Sequence, residues 1–180
     1  MKILFLDLDG VLATDASCRL PRIPFPDDFH IPFNDGWTRL DSECVDRLNQ
    51  IVNSTNAKIV LSSSWRLAGA ENVIDYLEGQ GVTGEFVDAT PIYYYERLPE
   101  NDIDDNYEEW GIVRRINNRR EEIEYWFSVS KSIVNKGIES FVIIDDERYM
   151  GNMSGSHVCT EESVGLQNCD VKKAIKILNG

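Results

Sequence analysis

Three short apolar runs in this 180-residue chain each break off into a polar cluster. Residues 3–6 run into Asp7-Leu8-Asp9-Gly10-Val11, residues 59–61, the end of an expected strand over 57–61, into Ser62-Ser63-Ser64-Trp65-Arg66, and residues 141–144 into Asp145-Asp146-Glu147. An unbroken apolar run this short reads as a strand buried on both faces, which is what a parallel sheet covered by helices needs. Helical patterns lie between the runs. That alternation predicts a three-layer, Rossmann-like α/β fold around a parallel sheet. Ligands of such sheets bind outside the carboxyl ends of the strands, so the clusters are predicted to meet at one edge.

The rest of the chain fits this plan. Asp41 can cap a helix running to about residue 54, with Cys44, Val45, Leu48, Ile51 and Val52 on one face. A second helix starts near Ala70, turns Val73, Ile74 and Leu77 inward, and ends at Gly79 and Gly81. Phe86 and Val87 mark another strand, and residues 157–159 a short last one. Ile116, Ile123, Phe127 and Val134, with Trp126 beside them, predict one long helix. Asp170 is expected to cap a final helix with Val171, Ala174, Ile175 and Leu178 inward.

Two stretches break the pattern. Residues 13–40 hold four of the six prolines, interleaved with Phe25, Phe29, Phe33 and Trp37. So many aromatics predict an ordered flap or small cap rather than a linker. A second insert is expected at 84–115, where Tyr93, Tyr94 and Tyr95 precede an acidic run from 100 to 109. Asp102, Asp104 and Asn106 imitate a calcium loop, but Tyr107 and Val113 stand where its glycine and bidentate glutamate belong, so a solvated acidic loop is expected.

Length fits one domain over 1–180, and an apolar fraction of 42% supports a core. No apolar stretch is long enough for a membrane span, and the start turns acidic too soon for a signal peptide. Cys18, Cys44, Cys159 and Cys169 lack metal-ligand spacing, so free thiols and a cytoplasmic location are expected. A net charge of −13 opposes polyanions and argues against non-specific duplex binding. One phosphate held by a metal and local cations remains compatible with it.

Asp7 and Asp9 close one strand, and Asp145 and Asp146 another. Acids gathered at one edge need a cation. Magnesium takes carboxylate and phosphate oxygens and keeps several waters. A carboxylate can attack phosphorus and carry the group as an aspartyl phosphate, while a neighbouring acid protonates the leaving oxygen and then activates water. The spacing leaves open which acid takes which role. Ser62, with Ser63 beside it, could hold a phosphoryl oxygen, and Arg119 or Arg120 could balance its charge. There is no G-x-x-x-x-G-K-[ST] and no G-x-S-x-G, and the only histidines are His30 and His157. P-loop and serine-triad chemistry are accordingly not expected.

These motifs resemble the haloacid dehalogenase (HAD) superfamily. Asp7-Leu8-Asp9-Gly10-Val11 looks like its first motif, Ser62 its second and Asp145-Asp146 its fourth. The Leu61-Ser62-Ser63-Ser64-Trp65-Arg66 run, residues 119–126 and the closing Gly165-Leu166 with a final helix are similar to the small HAD domains associated with RNA-repair proteins. The resemblance implies Asp7 as nucleophile and Mg2+ ligand. It implies Asp9 as general acid/base with its backbone carbonyl on the metal, Ser62 as a phosphoryl ligand, and Asp145 and Asp146 as further metal ligands. The third motif is usually a lysine; Arg119 stands in for it here, with Arg120 and Lys131 as alternatives. The implied activity is magnesium-dependent phosphomonoester hydrolysis of a phosphorylated small molecule, a nucleotide or a nucleic-acid end. The competing expectation is a non-catalytic module that binds a phosphorylated ligand or a protein partner.

Overall fold

The computed structural model describes residues 1–25, 36–97, 111–116 and 118–180. In chain order its elements are β1 (Lys2–Leu6), α1 (Asp15–Cys18), α2 (Ser42–Thr55), β2 (Lys58–Leu61), α3 (Ala70–Gly79), β3 (Phe86–Ala89), β4 (Tyr93–Arg97) and β5 (Gly111–Arg115). They continue with α4 (Arg119–Val129), α5 (Lys131–Val134), β6 (Ser140–Asp145), β7 (His157–Cys159) and α6 (Asn168–Asn179). Five strands form one parallel sheet in the order β3-β2-β1-β6-β7.

Burial on both faces explains the unbroken apolar runs. Leu4, Leu6, Ile59, Leu61, Val142 and Ile144 point into one core with residues of α2, α3 and α6. Ile3, Phe5, Val60 and Ile143 point to the opposite face, against Ile123 and Trp126 of α4. The period-2 alternation of a strand thus feeds two cores, and both faces are apolar over residues 3–6, 59–61 and 141–144. From β1 the chain builds outward to β3, then returns to place β6 on the other side of β1. The order therefore reverses between β1 and β6, the switch point at which open α/β sheets form their crevice.

Local signals account for the helix ends. Asp41 accepts hydrogen bonds from the Glu43 and Cys44 amides at 2.9 and 3.3 Å, capping α2 as expected. Asp170 does not cap α6 from outside. It is the third residue of that helix, and its carboxylate reaches back to the Gln167 amide at 2.9 Å in a capping box.

The expected single helix from Ile116 to Val134 is two helices. Ile116 precedes them, and its amide donates to the Ile92 carbonyl at 2.8 Å. Ser130 leaves helical geometry at ψ 52°. Its hydroxyl and the Trp126 indole N–H both donate to Asp88 Oδ2, at 2.8 and 2.7 Å. Two hydrogen bonds to one carboxylate at the end of β3 hold the break where apolar periodicity alone predicts continuity. Trp126, rather than Phe127, is the fully buried residue, packed edge-on to Phe5 at 5.1 Å.

The second insert contributes the antiparallel pair β4–β5, which follows β3 of the main sheet. The acidic run, with Asp102, Asp104 and Asn106, lies outside the described residues. So do Phe29, Phe33 and His30 of the first insert. The flanks of that insert pair through Ile23 and Trp37, whose backbones exchange hydrogen bonds of 2.9 and 2.7 Å. Among the described residues no helix is long and apolar enough to cross a membrane.

Candidate active site

Three neighbouring strands deliver the polar clusters to one edge. The Asp7 amide donates to the Ile144 carbonyl at 3.0 Å, and the Ser62 amide to the Leu6 carbonyl at 2.8 Å. These bonds extend the sheet by one residue and lock the strand ends in register. Asp7 is 5% exposed, Asp145 1%, and Asp146 is half-buried. One carboxylate oxygen from each lies within 4.8 Å of the other two.

Arg119 enters this cluster from the first turn of α4. Its Nη2 is 3.2 Å from Asp7 Oδ1, its Nε donates to Asp145 Oδ2 at 2.7 Å, and its Nη1 to Glu122 Oε2 at 2.6 Å. Arg120 instead lies alongside Glu121 and Glu124 at 3.9 and 3.6 Å, and Lys131 is exposed at the start of α5. Of the three cations considered for the third motif, Arg119 is therefore the one in contact with Asp7.

The electrostatics follow from enclosure. Burial pushes the Asp7 carboxyl from its ordinary 3.8 up to about 6, against the opposing pull of Arg119 and with reinforcement from Asp145. Burial also raises Asp145 and Asp146. Burial alone would lower Arg119, but Asp7, Asp145 and Glu122 outweigh it and hold the guanidinium above its usual range.

The sequence sets Arg66 and Glu122 beside candidate site residues but assigns neither a role. Arg66 is buried directly beneath the Ser62–Ser64 turn. Its Nη1 donates to the Ser62 carbonyl at 2.8 Å and also to the Ser63 carbonyl, and its Nε to the Thr90 carbonyl at 2.7 Å. Its Nη2 is 2.8 Å from Glu122 Oε2, the oxygen that Arg119 also holds. Glu122 thus bridges two arginines and ties the turn after β2 to α4. The i, i+3 spacing of Arg119 and Glu122 was the available signal, but both look like a solvated helix face in isolation. Ser62 and Ser63 are enclosed. The Ser63 hydroxyl accepts from the Trp65 amide at 3.3 Å, whereas the Ser62 hydroxyl has no partner among the described residues.

Asp9 stands apart from the buried cluster, exposed at the rim. The indole N–H of Trp65 donates to its Oδ2 at 2.9 Å. Desolvation raises the Asp9 carboxyl, and the Trp65 hydrogen bond opposes that rise. Trp65 stacks on Trp37 at 6.0 Å, and Trp37 on Tyr76 at 5.1 Å. A cleft of about 420 Å³ opens beside Asp9, walled by Trp37, Trp65 and Leu67, with Arg22 among its polar residues.

Gly10 is needed for this geometry. Its φ of +66° favours glycine, and a Cβ there would lie 2.6 Å from Asp146 Oδ2. Gly10→Ala is expected to lose about 1–3 kcal/mol of stability from the backbone conformation. It should also weaken divalent-cation binding about tenfold by displacing Asp146. Denaturant unfolding and calorimetric titration check both; unchanged cation affinity would separate Asp146 from the metal set.

The donor set fits magnesium. All three groups are hard carboxylate oxygens, and four acids (Asp7, Glu122, Asp145, Asp146) face two guanidiniums (Arg66, Arg119). The imbalance of two negative charges is what one divalent cation neutralises. The order of motifs along the chain, their convergence at the β1–β6 switch point and this acidic cluster together match a known family. The description "HAD domain in Swiss Army Knife RNA repair proteins" fits residues 3–171. No curated protein and no solved structure matches the chain. With 169 consecutive residues matched, from the first strand into the last helix, the chain belongs to the HAD domains of Swiss Army Knife RNA repair proteins.

Proposed function

We propose that the protein is a magnesium-dependent phosphomonoester hydrolase that works through an aspartyl phosphate on Asp7. The observation that carries this reading is the placement of Asp7: a buried carboxylate at the sheet switch point, bracketed by Arg119, Asp145 and Asp146, with a second acid, Asp9, at the rim. A carboxylate oxygen of Asp7 attacks phosphorus and the bond to the leaving oxygen breaks. Asp9, protonated, gives its proton to that oxygen. The resulting Asp9 carboxylate then takes a proton from water as the water oxygen attacks the phosphoryl group, which frees Asp7 and restores the acid. Ser62 and Ser63, with the amides of their turn, receive phosphoryl oxygens, and Arg119 offsets the charge that accumulates. Mg2+, held by Asp7, Asp145 and Asp146 with the Asp9 carbonyl, would supply further electrostatic stabilisation of those oxygens.

The family description supports a nucleotide or nucleic-acid terminal phosphate as substrate. The charge of −13 favours a short end over a long polymer. A cytoplasmic location is consistent with the composition. The test is phosphate release from nucleotides and from 3′- and 5′-phosphorylated oligonucleotides, with magnesium and with chelator. Chelator-sensitive release is expected. No release from any substrate, by folded protein that binds magnesium, would favour a binding module instead.

Metal binding should depend on pH. A carboxyl whose folded value is raised to about 6 is stabilised by its proton, so its contribution to metal-free stability falls as pH rises from its ordinary 3.8 through about 6. Magnesium needs the ionised form and competes with that proton. The Mg2+-induced rise in Tm is therefore expected to be small at about pH 5 and to grow through about pH 6 to a plateau near pH 7.5. A Tm shift independent of pH would exclude Asp7 from the metal set.

A further inference from the structure

We propose that Trp65 is a positioning residue for Asp9: its indole N–H fixes one carboxylate oxygen so that the other faces the leaving group of the substrate. The inference rests on the phosphatase reading above and adds a role for a residue outside the four motifs.

The geometry singles out Trp65. Asp9 is exposed, so its carboxylate would be free to rotate about two side-chain torsions in water. The 2.9 Å bond from Trp65 Nε1 to Oδ2 removes that freedom. Trp65 is itself held, because it stacks on Trp37, which stacks on Tyr76, whose hydroxyl donates to the Thr38 carbonyl at 2.7 Å. The rigidity of an aromatic stack is thereby passed to an acid at the rim. With Oδ2 engaged by a donor, Oδ1 is the oxygen left to carry and deliver the proton. Trp65 and Asp9 line the same cleft of about 420 Å³, which gives the leaving group a place within reach of Asp9. Delivery of a proton within hydrogen-bond reach depends on such placement.

The proton step sets the test. As the bond from phosphorus to the leaving oxygen breaks, its electron pair stays on that oxygen, and the Asp9 proton converts the nascent alkoxide into an alcohol. An alkoxide needs that proton; a p-nitrophenolate leaves well without it. Trp65→Phe keeps a ring in the stack and removes the N–H donor. It is expected to lower kcat for an alkyl phosphate such as glycerol phosphate by about tenfold or more, and for p-nitrophenyl phosphate by about threefold or less. KM should change little for either. Incorporating 3-benzothienylalanine at position 65, which preserves the bicyclic shape without the N–H, should reproduce that split if Trp65→Phe folds poorly. Tyr76→Phe keeps the N–H bond but removes the hydroxyl that anchors the stack, and should shift the alkyl-to-aryl ratio in the same direction as Trp65→Phe by a smaller factor. Equal losses on both substrates, or a benzothienyl variant with the wild-type ratio, would overturn the positioning role while leaving the phosphatase reading intact. If the wild-type protein turns over neither, the same ratio is read between a nucleoside monophosphate and a nucleoside-linked p-nitrophenyl phosphate monoester; absence of turnover on these and on the phosphorylated oligonucleotides would overturn both readings together.

Discussion

Asp7→Asn is expected to abolish phosphate release, lowering kcat by at least about a thousandfold, while the variant keeps a metal-free Tm no lower than the wild type at about pH 7.5. An amide nitrogen or oxygen in the place of the carboxylate does not form the acyl phosphate, so the first step has no nucleophile. Stability should not follow activity, and the sign comes from the carboxyl itself. Its folded value, about 6, lies above its ordinary 3.8, so the ionised group opposes folding at neutral pH. A neutral side chain of the same shape removes that opposition. Asp145 and Glu122 stay in place to hold Arg119 at 2.7 and 2.6 Å. The Mg2+-induced rise in Tm should shrink in the same variant, because one of the three carboxylates proposed to hold the ion is gone. Undiminished turnover by Asp7→Asn would remove Asp7 from the chemistry and with it the aspartyl phosphate.

Arg119→Ala should fail in both respects. Its guanidinium reaches three carboxylates through three different nitrogens, and both it and they are largely enclosed. Truncation leaves buried acids without their counter-charge, an effect worth about 3–5 kcal/mol in comparable sites. Turnover should fall by about a hundredfold or more, the size of effect seen when an electrostatic stabiliser is removed. Magnesium should restore part of the lost stability, with a larger Tm rise than in the wild type, since it supplies positive charge to the same oxygens. Arg119→Lys keeps the charge, but one ammonium cannot span Asp7, Asp145 and Glu122 in the forked geometry, so an intermediate loss is expected. Thermal unfolding with and without magnesium, beside phosphate release, checks all of this. An Arg119→Ala protein as stable as the wild type would show that the acids are neutralised by other means.

The contrast between these variants traces to how the site is divided between sequence and fold. The strands were legible because burial on two faces demands unbroken apolar runs, and the acids were legible because they interrupt those runs at the sheet edge. The α4–α5 break was not, because Asp88 holds it from another strand through Ser130 and Trp126. Nor does apolar spacing mark Asp170 as an interior residue of α6, since aspartate suits both the cap and the third position of a helix. Glu122 resembles an ordinary surface charge, and Arg66 has no evident partner in its strand-end cluster, until the turn after β2 and the first turn of α4 are brought together.

Residue order alone thus determined a helix-covered parallel sheet, with Asp7, Asp9, Asp145 and Asp146 at strand ends, because strand burial and side-chain alternation are local and periodic. Tertiary structure decided which cation meets those acids and which donor holds Asp9. Arg119 is separated from Asp7 by more than a hundred residues and Trp65 from Asp9 by 56. Contacts over such separations leave no periodic trace in the chain; they exist only once the order of strands β2, β1 and β6 puts three distant loops at one edge.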